Sequence, residues 1–282
     1  MAWEQYVADA DAELAQLLSS EADEPQLQEW LERHPAWVPE VDGGRGDAGH
    51  HGPVHGAVVS QPPLRGLGTR VPDFLCLTKT SAVITPVLVE IEDPAKQWFT
   101  GGGQPTAEFT QAQDQLVEWR SWFNVSGNQQ VFLDTYEVPS SWRRSLAFRP
   151  LYRLVYGRQA EFDRPGRHAD ADRLNRKRAE LARPDEEYRT WDSIAAARPV
   201  SASVITARVG ATGYVALHVP DTIDLRDDLH NTCERVRCLD EAIDANERIP
   251  SARREWLKES ATWWRAATAR HAAHSELRLR RT

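Results

Sequence analysis

Apolar residues recur along this chain in two rhythms, one helical and one extended, and the switches between them mark its elements. Residues 3–18 carry apolar positions at helical spacing, and Pro25 opens a second helical stretch over 26–34. There Leu27, Trp30 and Leu31 share one stripe, and Pro35 is the stop. Residues 42–68 are rich in Gly, Pro and His without a sustained period, which predicts a long exposed loop. Residues 72–77 and 82–91 are dense in Val, Ile and Leu and predict strands. The second is apolar on both faces until its end, the pattern of a central strand. Gly101, Gly102, Gly103 and Pro105 break the chain before a helix over 106–122, where Phe109, Ala112, Leu116, Trp119 and Phe123 form a packed face. Beyond it the pattern predicts short strands at 130–133 and 151–156, a basic helix at 169–182 and a short helix at 191–197. A hairpin comes next over 202–219, then helices at 225–247 and 250–274. This order fits an α/β fold with a mixed central sheet flanked by helices and a mainly helical C-terminal region. The expected division is an N-terminal helical segment (1–24), a core (25–198) and a C-terminal hairpin with helices (199–282).

A chain of 282 residues with 41 % apolar and 27 % charged content is long enough for one large domain or a core with a smaller lobe. No apolar run approaches the roughly 18 residues of a membrane span, and the acidic start does not resemble a secretory signal. Cys76, Cys233 and Cys238 are too few for a disulfide framework and suit a reducing cytoplasm. A net charge of −8 argues against a surface that grips nucleic acid everywhere. The charge is unevenly spread, however. Residues 1–40 hold ten acids and one base, whereas 158–183 hold eight bases and five acids, and 250–282 eight bases and three acids. Phosphate contact, if any, is expected from the two later segments, with solvated helix faces as the plain alternative.

The chemistry concentrates in the two strands. Asp73 enters the first, in Val71-Pro72-Asp73-Phe74, and Glu90 and Glu92 end the second, in Leu88-Val89-Glu90-Ile91-Glu92. Alternation puts Glu90 and Glu92 on one face with Ile91 in the core, and pairing of the two strands would bring Asp73 alongside. Three converging carboxylates repel one another unless a hard cation such as Mg²⁺ (or Mn²⁺) sits among them. Such an ion can stabilise charge on a phosphodiester. The layout is that of a metal-dependent nuclease core of the PD-(D/E)xK type, with Glu92 standing where the motif has lysine. Lys96, four residues on, is the candidate replacement; in that role it would orient the attacking water and balance charge. Its plain alternative is a loop lysine in solvent. Gln111 and Gln115 lie one helical turn apart and are either ligands for a water or phosphate oxygen or ordinary surface amides.

Other constellations are weaker. His50, His51 and His55 cluster in the predicted loop, without evident partners to position them around a metal. His230, Cys233 and Cys238 fall on one predicted helix, but only the first two share a face. There is no Gly-x-Ser-x-Gly, and the glycine run lacks the Gly-Lys-Ser/Thr of a phosphate loop. Trp263 and Trp264 with Arg253, Arg254 and Arg265 could stack on bases, though packing of a terminal helix accounts for them more simply.

In order and spacing, several segments together resemble the Shedu family of bacterial antiphage nucleases. They are Leu27 to Pro35, Asp73-Phe74, Glu90-Ile91-Glu92-Asp93-Pro94, Lys96-Gln97-Trp98-Phe99-Thr100 with the glycine turn, and Ala112-Gln113-Asp114-Gln115-Leu116 with Trp119. Leu154-Val155-Tyr156-Gly157-Arg158, Leu174-Asn175 and Thr190-Trp191-Asp192-Ser193-Ile194 are similar to the family's later signature, so the resemblance covers about 25–197. It implies a restriction-endonuclease-like fold, divalent-metal cleavage of DNA, a part in phage defence in the cytoplasm, and assembly into a homo-oligomer, a dimer or tetramer. It makes Asp73 and Glu90 metal ligands, puts Glu92 at the lysine position, Lys96 as its migrated substitute and Gln115 as the helix glutamine, and leaves Glu29 or Glu32 as an additional acid. Asp93, where relatives carry a basic residue, puts local charge in question. The competing expectation is a nuclease-like fold with a decayed motif, acting as a nucleic-acid-binding or scaffold component; RNA rather than DNA as substrate is a third.

Overall fold

The structure, a computed structural model, describes residues 1–42, 52–65, 71–163, 166–197, 202–228 and 231–279, the last of these by backbone alone from 271. Helices α1 (Trp3–Ser19) and α2 (Glu24–Arg33) lead in. They are followed by strands β1 (Ala57–Ser60), β2 (Phe74–Lys79) and β3 (Val83–Ile91). Helices α3 (Ala107–Asn124), α4 (Asn128–Thr135) and α5 (Ser140–Ser145) come next, then β4 (Ala147–Phe148), β5 (Leu151–Val155), helix α6 (Ala171–Leu181) and β6 (Glu186–Arg189). The chain closes with the hairpin β7 (Ile205–Gly210) and β8 (Gly213–His218), helix α7 (Thr232–Arg235), β9 (Val236–Arg237), and helices α8 (Leu239–Ala245) and α9 (Ser251–Leu279).

Among the described residues these strands make one mixed sheet, ordered β6-β5-β3-β2-β1-β7-β8-β9, with β4 beside β3. The predicted α/β class with helices on a mixed sheet is what the structure has. β2 and β3 form the antiparallel centre, and β5 joins β3 in parallel after the crossover through α3. Valine and isoleucine on both faces of β3 suit its central place. Pro86 is tolerated there because it falls between the stretch paired to β4 (Val83, Ile84) and that paired to β5 (Val87 onward), so its missing N–H interrupts neither parallel ladder.

Each face of the sheet carries its own core. On one, Leu75, Leu77, Leu88 and Leu154 pack under the α3 stripe of Phe109, Ala112, Leu116 and Trp119. On the other, Phe74, Cys76, Val87, Val89 and Ile91 meet Leu27, Trp30 and Leu31 of α2 and Tyr6, Ala10 and Leu14 of α1. The hairpin and C-terminal helices extend the first core, where Ile205, Val209, Ile243, Leu257 and Ala261 are buried.

Four local expectations are corrected. The segment predicted as a loop over 42–68 contains β1, a fully buried strand in mid-sheet. Residues 130–133 belong to helix α4, which starts after Gly127 at φ 92° and sends Phe132 and Leu133 into the core; a four-residue apolar run is too short for periodicity to separate the two. Residues 191–197 hold a single 3-10 turn, Trp191–Ser193, rather than a helix. The helix predicted over 225–247 is two short ones, split by β9 and by Cys238, whose φ of 55° ends the preceding element. His50, His51 and His230 lie outside the described residues. His55 packs edge-on to Tyr214 at 4.9 Å. Cys233 is buried and Cys238 exposed, both as free thiols.

Candidate acidic site at the sheet end

The β2–β3 ladder sets the site. Phe74 pairs with Val89, so Asp73 at the mouth of β2 lies against Glu90 near the end of β3. The Asp73 N–H donates to Val89 O at 3.1 Å, and its Oδ2 accepts the Ile91 N–H at 2.8 Å. Glu90 is 5 % exposed and hydrogen-bonded to the Asp73 carboxylate, and among the described residues its Oε2 has no partner. Burial, followed by the charges of Asp73, Glu92 and Glu24, raises Glu90 well above the carboxylate range. Burial and the Glu24 and Glu92 carboxylates likewise push Asp73 up, to about 7, against the pull of the Ile91 N–H and the Glu90 hydrogen bond. Both shifts favour a proton retained between the two carboxyls.

Glu92 is turned to a different partner. Its carboxylate is paired with the Lys96 ammonium one short loop on, while its N–H donates to Val155 O at 2.9 Å and its carbonyl accepts the Trp191 indole N–H at 2.7 Å. Burial works to lower Lys96, but the hydrogen bond and charge of Glu92 outweigh it and raise the ammonium. Among the described residues no group of three or more His, Cys, Asp or Glu side chains is arranged to hold a metal ion.

The Lys96 loop is clamped from behind. Glu161 accepts the Trp98 and Phe99 N–H groups at 2.8 and 2.9 Å and meets His168 Nε2 at 3.0 Å. Arg178 of α6 lies over the Trp98 ring at 5.0 Å. Gly157, at φ 56°, lets the chain after β5 pass so close that a Cβ would stand 2.7 Å from Lys96 O. Arg158 holds Asp192 at 2.8 Å, which fastens the turn bearing Trp191. Glu161 and His168 were not singled out from sequence, because a carboxylate serving backbone N–H groups about 60 residues away leaves no local pattern.

On the α2 side, Asp73 lines a pocket of about 270 Å³ with Glu24, Gln28, Glu29, Glu32 and Arg208. The capping box of Asp23 and Gln26 starts α2 and puts Glu24 in its first turn. Burial, then the charge of Glu92, raises the Glu24 carboxyl. Of the two acids expected on this helix, Glu29 is largely exposed beside Arg33. Glu32 is buried, held by the Ser60 hydroxyl and by Gln28 at 3.3 Å. Glu24 is the acid whose charge bears on Asp73 and Glu90, and sequence reasoning missed it because an acid in a first helical turn is commonplace. Gln115 lies on α3 with its buried Oε1 accepting no hydrogen bond among the described residues, so that oxygen does not tie it to the site; Gln111 is exposed.

Fold and site define a mixed α/β protein with a buried acid pair at the end of its central sheet strands. The chain belongs to the Shedu family: the family model for the Shedu protein SduA, C-terminal, matches residues 21–194. No curated protein and no solved structure matches the chain. Membership suggests a part in antiphage defence. No described helix is long and apolar enough to cross a membrane.

Proposed function

We propose that this chain is a divalent-metal-dependent DNA endonuclease of antiphage defence, built on a restriction-endonuclease-like core. The observation that carries the reading is the Asp73–Glu90 pair, with one Glu90 oxygen buried and unpartnered among the described residues. Two adjacent carboxyls this desolvated are unfavourable without a counter-charge, which a hard cation would supply. Asp73 and Glu90 would hold Mg²⁺ or Mn²⁺, and Glu24 is a further acid of the same pocket whose charge bears on both. Bound there, the ion would supply Lewis-acid stabilisation of the charge that builds on a phosphodiester. Lys96, kept protonated by Glu92, acts as a fixed positive charge beside the reacting phosphate rather than as a base. Glu92 is then the positioning residue for Lys96, in place of the motif's own lysine. Gln115 is the remaining polar candidate, on α3.

Purified protein is expected to nick plasmid DNA in Mg²⁺ or Mn²⁺, with Glu90→Ala lowering the rate by about 10²-fold or more while the melting transition persists. Wild-type cutting by that variant overturns the reading, and RNA offered in parallel tests the polymer. A second reading, a nuclease-like fold serving as a nucleic-acid-binding scaffold, is favoured by the lack of a ready three-residue metal cluster among the described residues. Failure of the wild type to bind either metal or to cut decides for it.

A further inference from the structure

We infer that Arg208 of β7 binds a phosphate of the nucleic-acid substrate flanking the one that is cut, so that the C-terminal hairpin supplies part of the substrate site. The inference rests on the nuclease reading above. Its basis is topological first. β1 runs antiparallel to β2, and β7 runs parallel to β1, so the C-terminal end of β7 and the N-terminal mouth of β2 lie at the same edge of the sheet. Val59 is in register with Ala207, which brings Arg208 beside Ser60, and one strand further Ser60 faces Phe74, the neighbour of Asp73. Two strand spacings make ~10 Å, about three nucleotides of rise along one strand of a duplex. With the reach of its side chain, which lines the same pocket as Asp73, Arg208 is placed to meet a phosphate flanking the one held at the acid pair.

The chemistry of the pocket points the same way. It is lined by the carboxylates of Glu24, Glu29, Glu32 and Asp73, and Arg208 is the one basic side chain among the described residues that line it. A phosphate approaching such a ring meets repulsion, which a guanidinium at the rim offsets while offering a planar, two-pronged donor. Arg208 is free to do this. Its Nη2 stands 3.8 Å from Glu32 Oε1, beyond hydrogen-bonding range, and its side chain is 54 % exposed. Glu32 in turn is already served by Ser60 and Gln28, so withdrawing the guanidinium leaves no buried carboxylate bare. With its arginine half exposed and no hydrogen bond between the two, this pair contributes little to stability. Arg208 also lies outside the stretch that matches the family model, residues 21–194.

The test is duplex binding by fluorescence anisotropy in EDTA over a range of salt, together with cleavage kinetics in Mn²⁺, for wild type, R208A and R208K. R208A is expected to bind about tenfold more weakly, with a salt slope shallower by about 0.9, one phosphate's worth. Its KM should rise with kcat little changed, and R208K should restore the slope but not the whole affinity. A wild type that cuts DNA beside an R208A of equal affinity and slope overturns the assignment and leaves the nuclease reading standing. So does an R208A whose loss of binding tracks a lowered melting temperature and is not recovered by lysine. A wild type that neither binds nor cuts DNA removes both.

Discussion

Glu90 illustrates how a single side chain can be costly to the fold and still be kept in place by it. An ionised carboxylate is unfavourable where burial is this deep, and burial together with the neighbouring Asp73, Glu92 and Glu24 charges raises Glu90 towards its neutral form. The consequence for stability has a definite sign. Below the ordinary glutamate value of 4.5 the folded and unfolded chains both carry the proton, and nothing is lost. As the pH rises past that value the unfolded chain gives the proton up while the folded chain retains it, so folding weakens until the raised folded value is passed. Glu90→Gln has no proton to lose, and its amide can still donate to Asp73. In EDTA it should be more stable than wild type at pH 8, with the gap closing towards pH 4. Melting curves across that range check it; a variant less stable than wild type at every pH would show that the carboxylate is a structural tie. Lys96 and Glu24 belong to this scale too. One keeps its charge through Glu92 and the other is pushed towards neutrality, and only the first role could be anticipated from spacing.

Among elements, those that announce themselves in sequence are the ones whose partners are close in sequence or whose stripe is long. The β2–β3 pair, with its acids, was legible because valine-dense runs flank a short turn, and α3 because five apolar positions keep one phase over a long helix. β1 was hidden because Ala57–Ser60 is only 4 residues long, sits in a Gly- and Pro-rich stretch, and takes β7 as one partner from far down the chain. β6 was hidden because Glu186–Arg189 is polar at an edge. The docking of α1 on α2 carries its own signature. His34 ends α2 with Nδ1 at 3.2 Å from the Tyr6 hydroxyl and Nε2 at 3.1 Å from Glu13. Burial lowers the imidazole below its ordinary 6.5, with Arg33 and Arg248 adding to this and Glu13 opposing it. Since the unfolded chain takes up a proton that the folded chain resists, this contact is at full strength above pH 6.5 and weakens as the pH falls through and below it. Glu13, lowered by Arg248 and His34 despite burial, adds a loss only under more acid conditions, below its ordinary 4.5. Urea titrations at about pH 8 and about pH 5.5 should show wild type losing up to ~1.4 kcal/mol per pH unit that His34→Gln does not lose. Parallel curves would show that His34 is not the titrating group.

The whole molecule raises a question that its family match leaves open, namely whether residues 21–194 fold without the hairpin and helices C-terminal to them. The sheet argues that they do not. β1 lies in mid-sheet only because β7 covers its outer side; removing everything after Ala197 would turn Ala57–Ser60 into a bare, apolar edge. The same cut strips Ile205, Val209, Tyr214, Ile243 and Leu257 from the core that seats α3 on the sheet, where Leu75 of β2 and Leu88 of β3 are buried next to the strand ends that carry the acid pair. Arg248 would be lost as well, and with it the pair to Glu13 at 2.7 Å that ties the C-terminal region to α1. Losing several buried aliphatic side chains at about 1.5–3 kcal/mol each exceeds the usual stability of a domain. A fragment of residues 1–197 is therefore expected to be insoluble or aggregated, and the full chain monodisperse, on size-exclusion chromatography. A well-behaved fragment with a cooperative melt would mean that the hairpin and C-terminal helices are an attached unit, and that Arg208 reaches the pocket from a body the acidic core can do without. The expected failure would mean the opposite: the acid pair and the hairpin are parts of one sheet, and the site must be understood, and mutated, as such.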